Sequence, residues 1–325
     1  MKLSLKVSIA ACAWLCTTLL HAQTWPAEKP VRMVVGFPPG GSVDLVARIV
    51  AQRLSELLKQ QIVVDNRSGA NGAIGADSVA KAAPDGYTVL MASTAELVAG
   101  PAAGQKTPYD PEADFAPIAL VGETPVVIVA HPSVPATDLP GLVNHMKANP
   151  GRLTFATPGT GSEGHFAGEA LKSMTGAAIQ HIPYRGGAPA LNDIAGNQVQ
   201  LGMVGLPPVV GFAKSGRVKI LAVGTPQRSR VVPEVPSAGE TPGLKDWQFT
   251  IWMALFAPPK TPAAVVERLG TEIAKLTQEP GFREKLAAVG VEPMGLTGQA
   301  LGTFLQAERQ RYRAVARTSG IKVDN

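Results

Sequence analysis

Cysteine is almost absent from this chain. Both copies, Cys12 and Cys16, fall within the first 22 residues. A chain that starts after them has no disulfide, no thiol nucleophile and no cysteine metal site. Histidine is also scarce: beyond that segment only His131, His145, His165 and His181 occur, none spaced as H-E-x-x-H or a comparable pairing. No metal and no cofactor is expected from such a set. The apolar stretch Val7 to Leu20 is too short to span a bilayer, and no second one follows. Strong charge is missing too. Setting aside Lys2 and Lys6, the 30 basic residues fall to 28 against 25 acidic ones, a net charge of +3. With no basic run, nucleic acid is not an expected partner.

What is present begins with a leader. Lys2 and Lys6, the apolar run and the small residue ending Leu20-His-Ala22 read as a cleavable signal peptide over 1–22, which sends the protein to the periplasm. Ile9-Ala-Ala-Cys12 faintly resembles a lipoprotein box and leaves acylation of Cys12 as an alternative. The remaining length of about 300 residues suits two domains. Strand-like runs alternate with helical periods from Val31 to Val223, which predicts an α/β protein of parallel strands and crossover helices. The rhythm then breaks. Trp252–Phe256 is the one clear strand amid helical patterns at 261–277, 280–289 and 297–319.

Three glycine-rich turns each end a strand and start a helix. The first lies in VVGFPPGGSVDLVARIV (34–50), the second in ATPGTGSEGHF (156–166) and the third in YRGGAPA (184–190). The first N–H groups of a helix have no internal partner and carry the positive end of its dipole, so such turns suit an anion. The first turn is not a P-loop, because Ser42 and Val43 follow Gly41 where Lys would stand, and Gly36, Gly40 and Gly41 do not give G-x-G-x-x-G. Turns gathered at the carboxyl ends of strands form the usual crevice for a ligand. Asp44 and Asp77 sit in first helical turns, where an acidic residue caps backbone N–H groups. The competing enzyme reading is an exported serine hydrolase. Thr160-Gly-Ser-Glu-Gly164 lies one residue away from G-x-S-x-G, with Ser162 as nucleophile and only His165 near enough to act as base.

Taken together the motifs resemble the Bug-type periplasmic solute-binding receptors of the tripartite tricarboxylate transporter family. The likeness rests on PVRMVVGFPPGGSVD (30–44), VDNRSGANGAIG (64–75), PDGYT (84–88), DFAPI (114–118), IPYRGG (182–187) and GVEP (290–293), in order across nearly the whole chain. It implies a type II periplasmic-binding-protein fold, two α/β lobes joined by a hinge, that closes on a small carboxylate by hinge motion. One lobe would be 23–121 plus 245–325 and the other 122–244, because the chain must cross twice, near 121–124 and in the proline-rich stretch 231–244. Carried onto this sequence, the first-lobe contacts would be Phe37, Gly40, Gly41, Ser42, Ser93 and Thr94. The second-lobe contacts would be Thr157, Thr160, Gly161, Ser162, His165, Tyr184, Arg185, Gly186 and Ala188, with Asp44 as a structural cap. The resemblance further implies a non-catalytic, monomeric receptor with membrane transporter subunits as partners, or an orphan receptor feeding a signalling partner. The segment Val199–Leu206 carries Gln200, Met203 and Val204 where many relatives place an acid. Facing the cleft, it would favour a ligand with carboxylates and no required cation; in a strand, those residues are simply core.

Overall fold

Short β-branched runs followed by amphipathic stretches dictate most of the architecture. The computed structural model describes residues 25–323; the expected leader, with Cys12, lies outside them. In the first half, β1 (Val31–Val35) pairs in parallel with β2 (Ile62–Asn66) and β3 (Thr88–Ser93). The crossovers are α1 (Ser42–Leu58) and α2 (Ala73–Ala80). Helix α1 buries Val43, Val46, Ala47, Val50, Leu54 and Leu58, the single stripe that a 3.6-residue period lays against a sheet.

The chain then runs along β4 (Ala116–Ala130) into a second half. There α3 (Leu139–Ala148), β5 (Thr154–Thr157), α4 (Glu163–Thr175), β6 (Gln180–Pro183), α5 (Gly187–Ala195), β7 (Leu201–Gly205), α6 (Leu206–Lys214) and β8 (Lys219–Val223) repeat the alternation. Strand β5 pairs in parallel with β6 and β7. The return is β9 (Thr250–Ala257), followed by α7 (Ala263–Leu276), α8 (Pro280–Ala288), β10 (Glu292–Thr297) and α9 (Gly298–Ser319).

The structure departs from the sequence expectation at β4 and β10. The separate strands expected at 118–121 and 126–130 are one strand, kept continuous through Gly122–Pro125 by pairing with β9. Its first part also pairs with β10, and its second part pairs with β7 and β8. These contacts are antiparallel, so the sheets are mixed and not purely parallel. The reason is geometric: a strand leaving one half and a strand coming back lie side by side in opposite directions. Strand β10 was hidden in sequence by Pro293 and Gly295, which are tolerated at an edge bearing a register shift.

The first glycine turn is held tight from behind. A methyl group on Gly36 would stand 2.6 Å from the carbonyl oxygen of Gly72, and one on Gly75 would stand 2.7 Å from Cα of Gly36. Main chain packs on main chain there, with no side chain able to yield. Gly36→Ala is therefore expected to lose about 1–3 kcal/mol, read as a lower denaturation midpoint. A midpoint equal to that of the parent chain would contradict this packing.

Candidate functional site

Four strands of the two halves end toward the same small cavity. The carboxyl ends of β1 and β3 supply Phe37, Gly41, Ser42, Val43 and Ser93, and those of β5 and β7 supply Pro158, Glu163 and Gly205, joined by Gly187 and Ile251. Its volume is about 30 Å³, the share of one liquid water molecule. The halves are in contact around it. A methyl group on Gly186 would meet Pro38 Cδ at 2.6 Å, and one on Gly205 would meet Ser42 Oγ at 2.4 Å. The halves approach closely here, and the cavity is smaller than a dicarboxylate needs.

The helix starts around this cavity are open ones. Helices α1, α5 and α6 begin after Gly41, Gly186 and Gly205, and none of the three carries a side-chain cap. Their dipole ends lie around one place, a favourable setting for negative charge, with α6 contributing only the Leu206 N–H from its first three positions because Pro207 and Pro208 have none. The sequence predicts a short helix near Pro207–Ser215, but not its place beside the cavity. Its signal was Gly205-Leu-Pro-Pro, with proline in the first helical turn.

Asp44 fixes the first turn from below. It is 1% exposed, and its Oδ2 accepts from Gly40 N at 2.9 Å and from Arg48 Nε at 3.0 Å. Its Oδ1 accepts from Arg48 Nη2 and from Asn66 Nδ2, both at 2.9 Å. Asn66 Nδ2 also reaches the carbonyl of Phe37 at 3.0 Å. Burial pushes the Asp44 carboxyl upward, but the bonds from Arg48, Gly40 and Asn66 outweigh it and hold the pKa below the ordinary carboxylate value. Gly40 needs its φ of +84°, which glycine adopts without strain.

The remaining expected contacts divide sharply. Phe37, Gly41, Ser42 and Ser93 line the cavity, and Gly40, Gly186 and Ala188 close its rim, with a methyl group on Gly40 falling 3.7 Å from Ala188 Cβ. The Ser93 hydroxyl is engaged by Glu96 Oε2 at 2.6 Å, and Thr94 Oγ1 accepts from Trp252 N at 3.1 Å. Thr157 Oγ1 lies 2.7 Å from His181 Nε2, and Gly161 packs against Gly100 and Val323. Ser162 is the N-cap of α4: its hydroxyl donates to Gly159 O at 2.7 Å and accepts from His165 N at 3.3 Å. The His165 ring is turned elsewhere. Its Nδ1 accepts from Gly161 N at 3.1 Å, and the ring stacks on His181 with centroids 4.2 Å apart. No base touches the Ser162 hydroxyl in this arrangement, which gives it the role of a cap. Tyr184 donates to Asp193 Oδ2 at 2.6 Å, while Thr160 is half-buried and Arg185 exposed, neither lining the cavity.

Two groups went unnoticed in the sequence, Glu163 and Glu96. Glu163 is 2% exposed in the cavity wall, and Glu96 is fully buried behind Ser93 in the π-helical turn Ala95–Ala99. The segment Val199–Leu206 supplies only Gly205 to the lining. Met203 and Val204 are core, and Gln200 Oε1 accepts from Thr154. The lean toward a less polar pocket drawn from those side chains therefore falls away.

Two α/β halves linked by crossing strands, with uncapped helix starts facing each other over a cleft, define a solute-binding protein. This chain belongs to the tripartite tricarboxylate transporter family receptors, whose family model matches residues 46–321. It is 37% identical to BugT of Bordetella pertussis over 305 residues, 94% of this chain and 93% of that protein. It superposes with a TM-score of 0.89 on an R. palustris protein solved with adipate, at 34% identity, covering 92% of this chain and 99% of that one. MatC from Rhodopseudomonas palustris, solved with bound malate, gives a TM-score of 0.81 at 30% identity, with 89% and 99% covered.

Asp44→Ala is expected to lower stability by about 2 kcal/mol at pH 7, because it orphans the Gly40 and Asn66 donors. A carboxyl with a lowered pKa stabilises above its ordinary value of 3.8 and loses that effect as pH falls through the lowered one. The gap between variant and parent in urea denaturation should thus shrink between pH 5 and pH 3. A gap that widened with acid would contradict the clamp.

Proposed function

We propose that this chain is the extracytoplasmic receptor of a tripartite tricarboxylate-type transporter, exported through a leader over 1–22 and acting as a monomer in the periplasm. It captures a small carboxylate between two lobes, 23–121 plus 245–325 and 122–244, and presents it to membrane subunits. The observation that carries this reading is the convergence of three uncapped helix starts, from both halves, on one cavity. Adipate and malate, the ligands of the related R. palustris proteins, set the size class.

The lobe division is supported by the pairing of β4, whose first part joins β9 and β10 and whose second part joins β7 and β8. Just past the proposed return point, Trp247 Nε1 donates to Ala167 O at 2.8 Å and so fastens the connector to α4. Capture needs no chemistry: backbone N–H groups and the Ser42 hydroxyl hold an anion that leaves unchanged.

A thermal-shift screen of mono-, di- and tricarboxylates tests this directly. At about 100 times its Kd a ligand adds about 2.7 kcal/mol, so at least one compound should raise Tm by about 5 °C or more. Flat melting curves across the whole set would overturn the reading. Gly205→Val puts a branched side chain where Ser42 and Ile251 close on Gly205, and it is expected to lose most of the ligand-induced rise in Tm relative to its own ligand-free value.

A further inference from the structure

The cavity proposed to hold a carboxylate has a carboxyl group in its own wall and no lysine or arginine among its lining residues. Glu163 opens α4, 2% exposed, and its Oε1 has no hydrogen-bond partner among the described residues. The groups facing it are few. From the residue after β3 comes the Thr94 hydroxyl, and from the π-helical turn come the Ala95 N–H and the carboxyl of Glu96. From α9 comes the buried phenol of Tyr312. On its own helix, His165 is turned onto His181. Thr94 Oγ1 already accepts from Trp252 N, so its own proton is free to face Glu163. Glu96 in turn is bound by Ser93 N at 3.0 Å and Ser93 Oγ at 2.6 Å, with Tyr109 donating to its main-chain carbonyl at 2.9 Å and Asp77 lying beyond that ring.

An ionised Glu163 beside an anionic guest would set two like charges in a dry pocket without a cation, an arrangement that drives one of them to take a proton. A neutral acid turns the same contact into a charge-assisted O–H···O⁻ bond. We infer, building on the receptor reading above, that Glu163 meets the captured carboxylate as a neutral acid and donates its O–H to the ligand. Each closure takes one proton from solvent and each opening returns it. The environment agrees in direction. Burial, with the charge of Glu96 adding to it, raises Glu163 to about 8 against the opposing N–H and hydroxyl bonds, and burial raises Glu96 to about 7. A carboxyl whose pKa is raised on closing favours the closed form below its ordinary value and loses that effect as pH rises through the raised one. The sensitive window therefore runs from about 4.5 to about 8.

The test is isothermal titration with adipate and malate in paired buffers of different ionisation enthalpy, from pH 6 to pH 8, where the probes are already ionised. The parent protein should take up about one proton per ligand at pH 7 and lose about tenfold or more in affinity by pH 8. Glu163→Gln, which keeps an N–H donor without a titrating proton, should bind with little proton uptake and a flat pH profile. Tight binding by the parent with no proton uptake overturns this inference and leaves the receptor reading standing, as does an equal pH slope in parent and variant. No binding of any carboxylate at pH 6 removes the receptor reading itself. The parent measurement decides the matter alone should the variant fail to fold.

Discussion

The structure depends on one long strand, β4, which runs through both halves and is held in the first by the antiparallel β9. Eight registered pairs tie them together, from Ala116 opposite Ala257 to Pro125 opposite Thr250. A ladder of main-chain hydrogen bonds resists sliding, which fixes the register of β4 where it leaves the first half. Register shifts at Pro117/Ala119 and Leu120/Gly122 place an extra residue in β4 as it approaches the second half, and bend the strand there. Thr124 Oγ1, donating to Gly290 O at 2.7 Å, pins the crossing to the first half. With the halves joined this way, the carboxyl ends of β1 and β3 face those of β5 and β7 across the cavity.

From that facing arrangement the electrostatics follow. Oriented peptide N–H groups supply positive potential without a mobile cation, and the side chains behind them hold the turns in place. Asp44 ties the first turn to Arg48 and Asn66. On the other side the His165–His181 stack anchors the start of α4. Burial first, and for His181 the neighbouring His165 as well, keeps both pKa values low, His181 at about 3. These rings are neutral packing groups with one hydrogen bond each to Gly161 N and Thr157 Oγ1. Carboxyl groups, not histidines, are the titrating groups beside the cavity.

Much of this was legible in the sequence because it is written in local signals. Alternating strand and helix periods gave the α/β class, and the glycine turns gave three helix starts at strand ends. Gly40, Gly41 and Ser42 are legible from the first glycine turn, whereas Ser93 is reached only through the family resemblance. The long-range features were not legible. β4 reads as two strands because Gly122-Glu-Thr-Pro125 carries strand-breaking residues, and only pairing with β9 keeps it continuous. Glu163 and Glu96 look like surface charges in sequence, since nothing local reports that both halves close over them. Tyr184 shows the converse, a residue in a binding motif whose hydroxyl is engaged by Asp193.

The absence of cysteine after Cys16 makes the decisive measurement clean. Spin labels at Gln52→Cys on α1 and Ser215→Cys beyond α6, both exposed, report the separation of the halves by electron–electron double resonance. Capture by hinge closure predicts that a bound dicarboxylate such as adipate narrows the distribution to a single short distance, while the ligand-free protein also samples longer ones. An identical distribution with and without every carboxylate that binds would contradict it.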